Sequence, residues 1–137
     1  MHMPQTLREL LNTIGSAPCL AAAEVLETGR LHLRGAGLTA GDAVRLAAAL
    51  REEGRAITSL SLSHNPLGDA GTVALAGALP AGLRELGLVG CGIGDVGGEA
   101  LLVWAQQARG LQMLCVEGNR FSPALRHRLR ALGCMVV

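Results

Sequence analysis

Four segments of this 137-residue chain repeat one apolar spacing, and that repetition limits the fold more than any other property. They are Leu31-His32-Leu33 ending at Leu38, Leu60-Ser61-Leu62 ending at Leu67, Leu86-Gly87-Leu88 ending at Ile93, and Leu114-Cys115-Val116 ending at Phe121. Their first leucines lie 29, 26 and 28 residues apart. Three segments carry a further apolar residue three positions earlier, at Ile57, Leu83 and Leu111, whereas the first has Thr28 there. Apolar residues two apart suit a short strand with one buried face.

After each segment the period changes. Leu46 with Leu50, Leu75 with Leu79, Leu101 with Ala105, and Leu125 with Leu129 recur at helical spacing. Each unit therefore reads as strand, turn and helix. Gly54, Pro80 with Gly82, and Gly110 supply stop signals for the first three helices. A parallel strand needs a crossover, which a helix provides. One such unit cannot bury its apolar face alone, but stacked neighbours can. Two columns are expected in the core, Leu31, Leu60, Leu86 and Leu114, and beside them Leu33, Leu62, Leu88 and Val116.

The segment Asn65-Pro66-Leu67-Gly68-Asp69-Ala70-Gly71, followed by Leu75 and Leu79, is echoed by Gly92-Ile93-Gly94-Asp95-Val96-Gly97. These residues resemble the leucine-rich repeat family, in its long, ribonuclease-inhibitor-like subclass, over about Leu31 to Phe121. The resemblance implies an α/β solenoid, a short right-handed superhelix with a parallel sheet on its concave face and helices on its convex face. It also implies a buried ladder position after each strand, held by Asn65 and Asn119, by Cys91 as a common substitute, and by a non-bonding Ala36 in the first unit. Asp69 and Asp95 are expected to serve helix starts as N-terminal acids.

The expected organisation is one domain. Residues 1–3 read as a cloning scar, 4–29 as N-terminal capping helices, and 30–137 as about four repeats with a C-terminal cap. Leu7, Leu10, Leu11 and Ile14 mark a first capping helix, and Ser16 with Pro18 open a second that carries Leu20, Val25 and Leu26. Cys134-Met135-Val136-Val137 reads as one more short strand, an edge through which copies could associate.

On such a sheet the residues alternating with buried leucines face out. They are Arg30, His32 and Arg34, then Ser59, Ser61, Ser63 and His64, then Glu85, Gly87 and Val89, then Met113, Cys115 and Glu117. The family binds partners on this face, so the resemblance implies a protein partner there. A secondary surface is expected at Trp104 and on the basic run Arg126, Arg128 and Arg130. His32 and Ser61 fall on adjacent strands, but no carboxylate is placed to orient the histidine. His32 and Cys115 are three strands, about 14 Å, apart, too far for a dyad. The glycines from Gly90 to Gly98 fall on turn positions and lack the lysine of a phosphate loop. Glu52 and Glu53 read as solvated charge at a helix end.

No catalysis, cofactor, metal or small-molecule substrate is expected. A net charge of +1, with 12 basic residues against 11 acidic, disfavours nucleic acid. No apolar run reaches the roughly 20 residues of a membrane span. Arg8, Glu9 and Glu24 interrupt any secretory signal pattern, and Cys19, Cys91, Cys115 and Cys134 form no C-x-x-C pair, so reduced thiols in a cytoplasmic or nuclear compartment are expected. The reading is a non-catalytic protein-interaction module. The resemblance also permits a regulator of an enzyme, of ribonuclease-inhibitor or small-GTPase-activator type, or a segment of a larger sensor, scaffold or effector.

Overall fold

The computed structural model describes residues 5–137, so the expected scar at residues 1–3 lies outside the described residues. Two helices, α1 (Leu7–Ile14) and α2 (Ala17–Glu24), precede an alternation of strands and helices: β1 (Arg30–His32), α3 (Ala40–Glu53), β2 (Ser59–Ser61), α4 (Gly68–Ala76), β3 (Glu85–Gly87), α5 (Asp95–Gln107), β4 (Met113–Cys115), α6 (Pro123–Arg130) and β5 (Met135–Val136). The five strands form one parallel sheet in chain order.

The strands sit one residue earlier than the paired leucines imply. Each is centred on the first leucine, and the second already belongs to the turn. In register, Leu31, Leu60, Leu86, Leu114 and Val136 stand side by side. The first four are at most 1 % exposed, and Leu33, Leu62, Leu88 and Val116 are buried behind them. Helical residues Leu46, Leu50, Leu75, Leu101, Leu125 and Leu129 close this core from the other side.

Repeat length sets helix length. The 26-residue step from β2 to β3 leaves room for a helix of 9 residues, against 14 in the preceding, 29-residue step. Helix α4 ends at Ala76 with Gly77 as its cap, before the expected Pro80–Gly82 stop, and Leu79 is buried from the following turn. Small residues let the helices stack. A Cβ at Gly98 would lie 2.5 Å from a Leu125 methyl and 2.8 Å from the Phe121 ring, so only glycine admits α6 at this depth.

The ladder runs through the turns. Asn65 Oδ1 accepts from the Leu38 amide at 3.0 Å, and its Nδ2 donates to the carbonyls of Leu33 (2.8 Å) and Leu62 (2.9 Å). Asn119 accepts from the amides of Cys91 and Ile93 and donates to the carbonyls of Leu88 and Val116. The Cys91 thiol donates to Leu62 O at 3.2 Å, with Val89 O a more distant acceptor at 3.6 Å, a single proton where asparagine makes several bonds. Burial pushes this thiol up from its ordinary value, against the lowering effect of the Asn65 and His64 backbone hydrogen bonds. Each side chain thus ties its own turn to the preceding one, satisfying backbone groups the short strands leave over.

The acids join repeats as well. Asp69 lies in the first turn of α4 but reaches forward, its Oδ1 accepting from the amides of Gly94 (2.9 Å) and Gly97 (2.8 Å) at the start of α5. Asp95 does the same for α6, accepting from the Ser122 amide at 2.8 Å. These acids stand in the first turns of their own helices, as expected, and in addition bond the start of the following helix. Glu53 is exposed, as expected, and in addition accepts from the Leu7 amide, so it caps α1 from the end of α3. Helix α2 differs from expectation too. Cys19, Ala22 and Ala23 face the core, while Leu20 and Val25 are about half exposed. Ser16 occupies the N-cap position of α2 without a side-chain capping bond.

Candidate functional site

The concave face is a grid whose columns follow the strand register. One column runs Arg30, Ser59, Glu85, Met113, and the next His32, Ser61, Gly87, Cys115. Just past the strands Arg34, Ser63, Val89 and Glu117 make a third. Arg30, His32, Arg34, His64, Glu85 and Glu117 are exposed, and Ser61, Val89, Met113 and Cys115 are partly exposed. Basic groups therefore flank the face at its first strand and acidic ones at its third and fourth.

Ser59 and Ser63 differ from the expectation that they face solvent. Both are buried, at 9 % and 7 % exposure. His32 Nε2 lies 3.0 Å from Ser59 Oγ, so the imidazole leans back over β2 and covers that serine. It does not meet Ser61, its partner in register. Ser63 Oγ accepts from the Val89 amide at 3.0 Å and acts as a backbone tie between repeats. The floor of the face is thus made of small side chains already fixed by bonds within the sheet. Between them lies a hollow of about 280 Å³ lined by His32, Ser61, Gly87, Val89, Met113 and Cys115 among others.

His32 and Ser59 stand at hydrogen-bond distance, but Ser59 is only 9 % exposed and, among the described residues, no carboxylate bonds the imidazole to orient it. His32 is on β1 and Cys115 on β4, with two strands between them. Burial pushes the Cys115 thiol up, and the carboxylates of Glu117 and Glu85 push it further, so its proton stays on at neutral pH. Among the described residues no three His, Cys, Asp or Glu side chains converge as metal ligands.

His64 stands apart. Its φ is 60°, the left-handed region, at a turn position that is glycine in the other three repeats (Gly35, Gly90 and Gly118). Its ring covers Gly90, where an added Cβ would lie 3.1 Å from Nδ1. The sequence placed His64 on this face, and its substitution for a repeated glycine is the signal that marks the strain.

The expected secondary surface does not form one patch. Trp104 is partly buried, and its Nε1 donates to Leu79 O at 3.2 Å, tying α5 to the end of the previous repeat. Arg128 pairs with Glu99 on α5. Arg126 and Arg130 line a separate hollow of about 290 Å³ with Glu117, Asn119 and Val137 at the end of the stack.

A family model for the leucine-rich repeat matches residues 56–76 and 83–102, which contain β2, α4 and β3 and enter α5. No curated protein matches the sequence. Among solved structures, one described as leiomodin-1 actin-binding site 2 superposes with a TM-score of 0.65 at 15 % identity, covering 95 % of this chain and 88 % of that one. The repeat signature at the centre, the parallel sheet in chain order and this likeness agree that the chain has the leucine-rich-repeat fold, as a short α/β solenoid.

Proposed function

We propose that this chain is a non-catalytic module that binds a protein partner on the concave face of its sheet. One observation carries the reading. The face is flanked by basic side chains at Arg30, His32 and Arg34 and by acidic ones at Glu85 and Glu117, around a floor of small residues that leaves a hollow open. Charges of opposite sign at the two ends orient an incoming surface, and complementary charge governs specificity and encounter rate. The same fold carries an actin-binding site in leiomodin-1, so a stack of about this length is long enough for such a role.

The test is capture of partners by wild type and by the triple variant Arg30→Ser, His32→Ser, Arg34→Ser, read by mass spectrometry. Partners recovered by wild type and lost by the variant are expected. Equal recovery of every partner removes the face from the function.

The repeated Gly-Asp-x-Gly turns at Gly68–Gly71 and Gly94–Gly97 support a ribonuclease-inhibitor-like type of repeat. Met135 on the outermost strand and Val137 just after it, both exposed, support a lesser contact in which copies meet edge to edge. Sedimentation at rising concentration tests it, and a constant monomer mass refutes it.

A further inference from the structure

We propose that Gly87 opens an anchor site for one aliphatic side chain of the partner, flanked on that partner by an acidic residue and a basic one. This rests on the concave face being the docking surface. Gly87 ends β3 without a left-handed backbone, so its conformation does not call for glycine. Glycine within a strand weakens it and often marks close approach by another molecule. The same column holds side chains in the other repeats, at His32, Ser61 and Cys115.

The missing side chain leaves the hollow. A Cβ at Gly87 would lie 3.2 Å from both Ser61 Oγ and Ser63 Oγ, and Ser63 is fixed by its bond to the Val89 amide. A methyl group therefore crowds the wall, and a branched side chain fills the space. The hollow is about 280 Å³ and open to solvent, room enough to seat an aliphatic side chain. Met113, Cys115 and Val89 supply the apolar wall.

Charge selects the flanks. Glu85 lines the hollow, and Glu117 lies two residues beyond Cys115, just past the end of β4. Arg30 and Arg34 stand two strands away on the other side, roughly 10 Å at the usual strand spacing. Side chains of an extended segment alternate faces, so one lying across the strands with these three residues two apart meets the arginines with its acidic residue, the hollow with its aliphatic one, and the glutamates with its basic one.

The probe is the blocked pentapeptide aspartyl-alanyl-leucyl-alanyl-arginine amide, titrated to millimolar concentration into protein labelled at its methionine methyls. Met113 lines the hollow, and its register partner Met135, on the edge strand, is an internal control. A saturating shift at Met113 is expected, larger than any at Met135, which stands one strand farther from the hollow. It should weaken about tenfold or more when glycine replaces leucine in the peptide, and equally in Gly87→Leu protein. The peptide comparison uses wild-type protein, so it stands even if Gly87→Leu folds poorly. An absent Met113 shift, or equal shifts with the leucine and glycine peptides, overturns the anchor. Failure here with partner capture still lost in the arginine–histidine triple variant removes the anchor and leaves the docking face. Failure of both removes the face.

Discussion

Asn119→Ala removes more from the stack than the size of one side chain implies. The side chain is 8 % exposed and engages four backbone groups, accepting from Cys91 N (3.0 Å) and Ile93 N (3.1 Å) and donating to Leu88 O (2.7 Å) and Val116 O (2.9 Å). Leaving a buried polar group without a partner costs about 1–3 kcal/mol, so the gross loss is about 4–12 kcal/mol. A vacated site with four convergent polar groups suits one water, which restores several of the bonds. The expected net loss is therefore about 3–5 kcal/mol, a large part of the roughly 5–15 kcal/mol that stabilises a typical domain. Asn119→Cys should fall between wild type and alanine, because the thiol at Cys91 shows that cysteine makes one donation in this column. Urea unfolding followed by circular dichroism measures the loss, and hydrogen exchange localises it to the Cys91 and Ile93 amides. A loss under about 1 kcal/mol with both amides still protected would refute the ladder as a source of stability.

Three further outcomes follow from other parts of the molecule. Leu88→Ala, at a position 2 % exposed between sheet and helices, should cost about 2–5 kcal/mol by urea midpoint, and no loss would mean the core register is wrong. His64→Val should cost about 1–2 kcal/mol, because a β-branched residue is forced into the left-handed region, whereas His64→Gly should cost less than His64→Val; equal midpoints would remove the strain argument. The Ser122 amide, then its hydroxyl, hold the Asp95 carboxyl below its ordinary value. Its contribution is therefore present above the unfolded value of about 3.9 and is lost as pH falls through the lower folded value. Asp95→Asn should lower the urea midpoint at neutral pH and match wild type in strong acid, and a pH-independent difference contradicts this.

The parts of the fold that repeat were legible, and the parts that join repeats were not. Leucine spacing alone placed Leu31, Leu60, Leu86 and Leu114 in one buried row, since a period of two allows only one inward face. The forward reach of Asp69 spans 25 residues to Gly94, and nothing local to either residue reveals it. Trp104, at the helix position of Ala49 and Ala78 in earlier repeats, could be read as a larger convex-side cap residue or as an outward contact, and its indole bonds a carbonyl of the previous repeat. At the candidate site, alternation named the column residues correctly but gave no depth. His32 leaning over Ser59 buries a residue the pattern placed in solvent, and the hollow exists through what Gly87 lacks. An exposed outer face on α3, α4 and α5, with Val44, Val73, Val96 and Val103, was also invisible to a pattern that scores only buried positions.

The most direct test of the docking face is site-specific photocrosslinking. A photoreactive residue placed at Met113, partly exposed on the concave face, is compared with one at Val44, exposed on α3. Discrete partner adducts from position 113 and none from position 44 are predicted. Adducts from position 44 alone would contradict the assignment and move the partner to the convex helices.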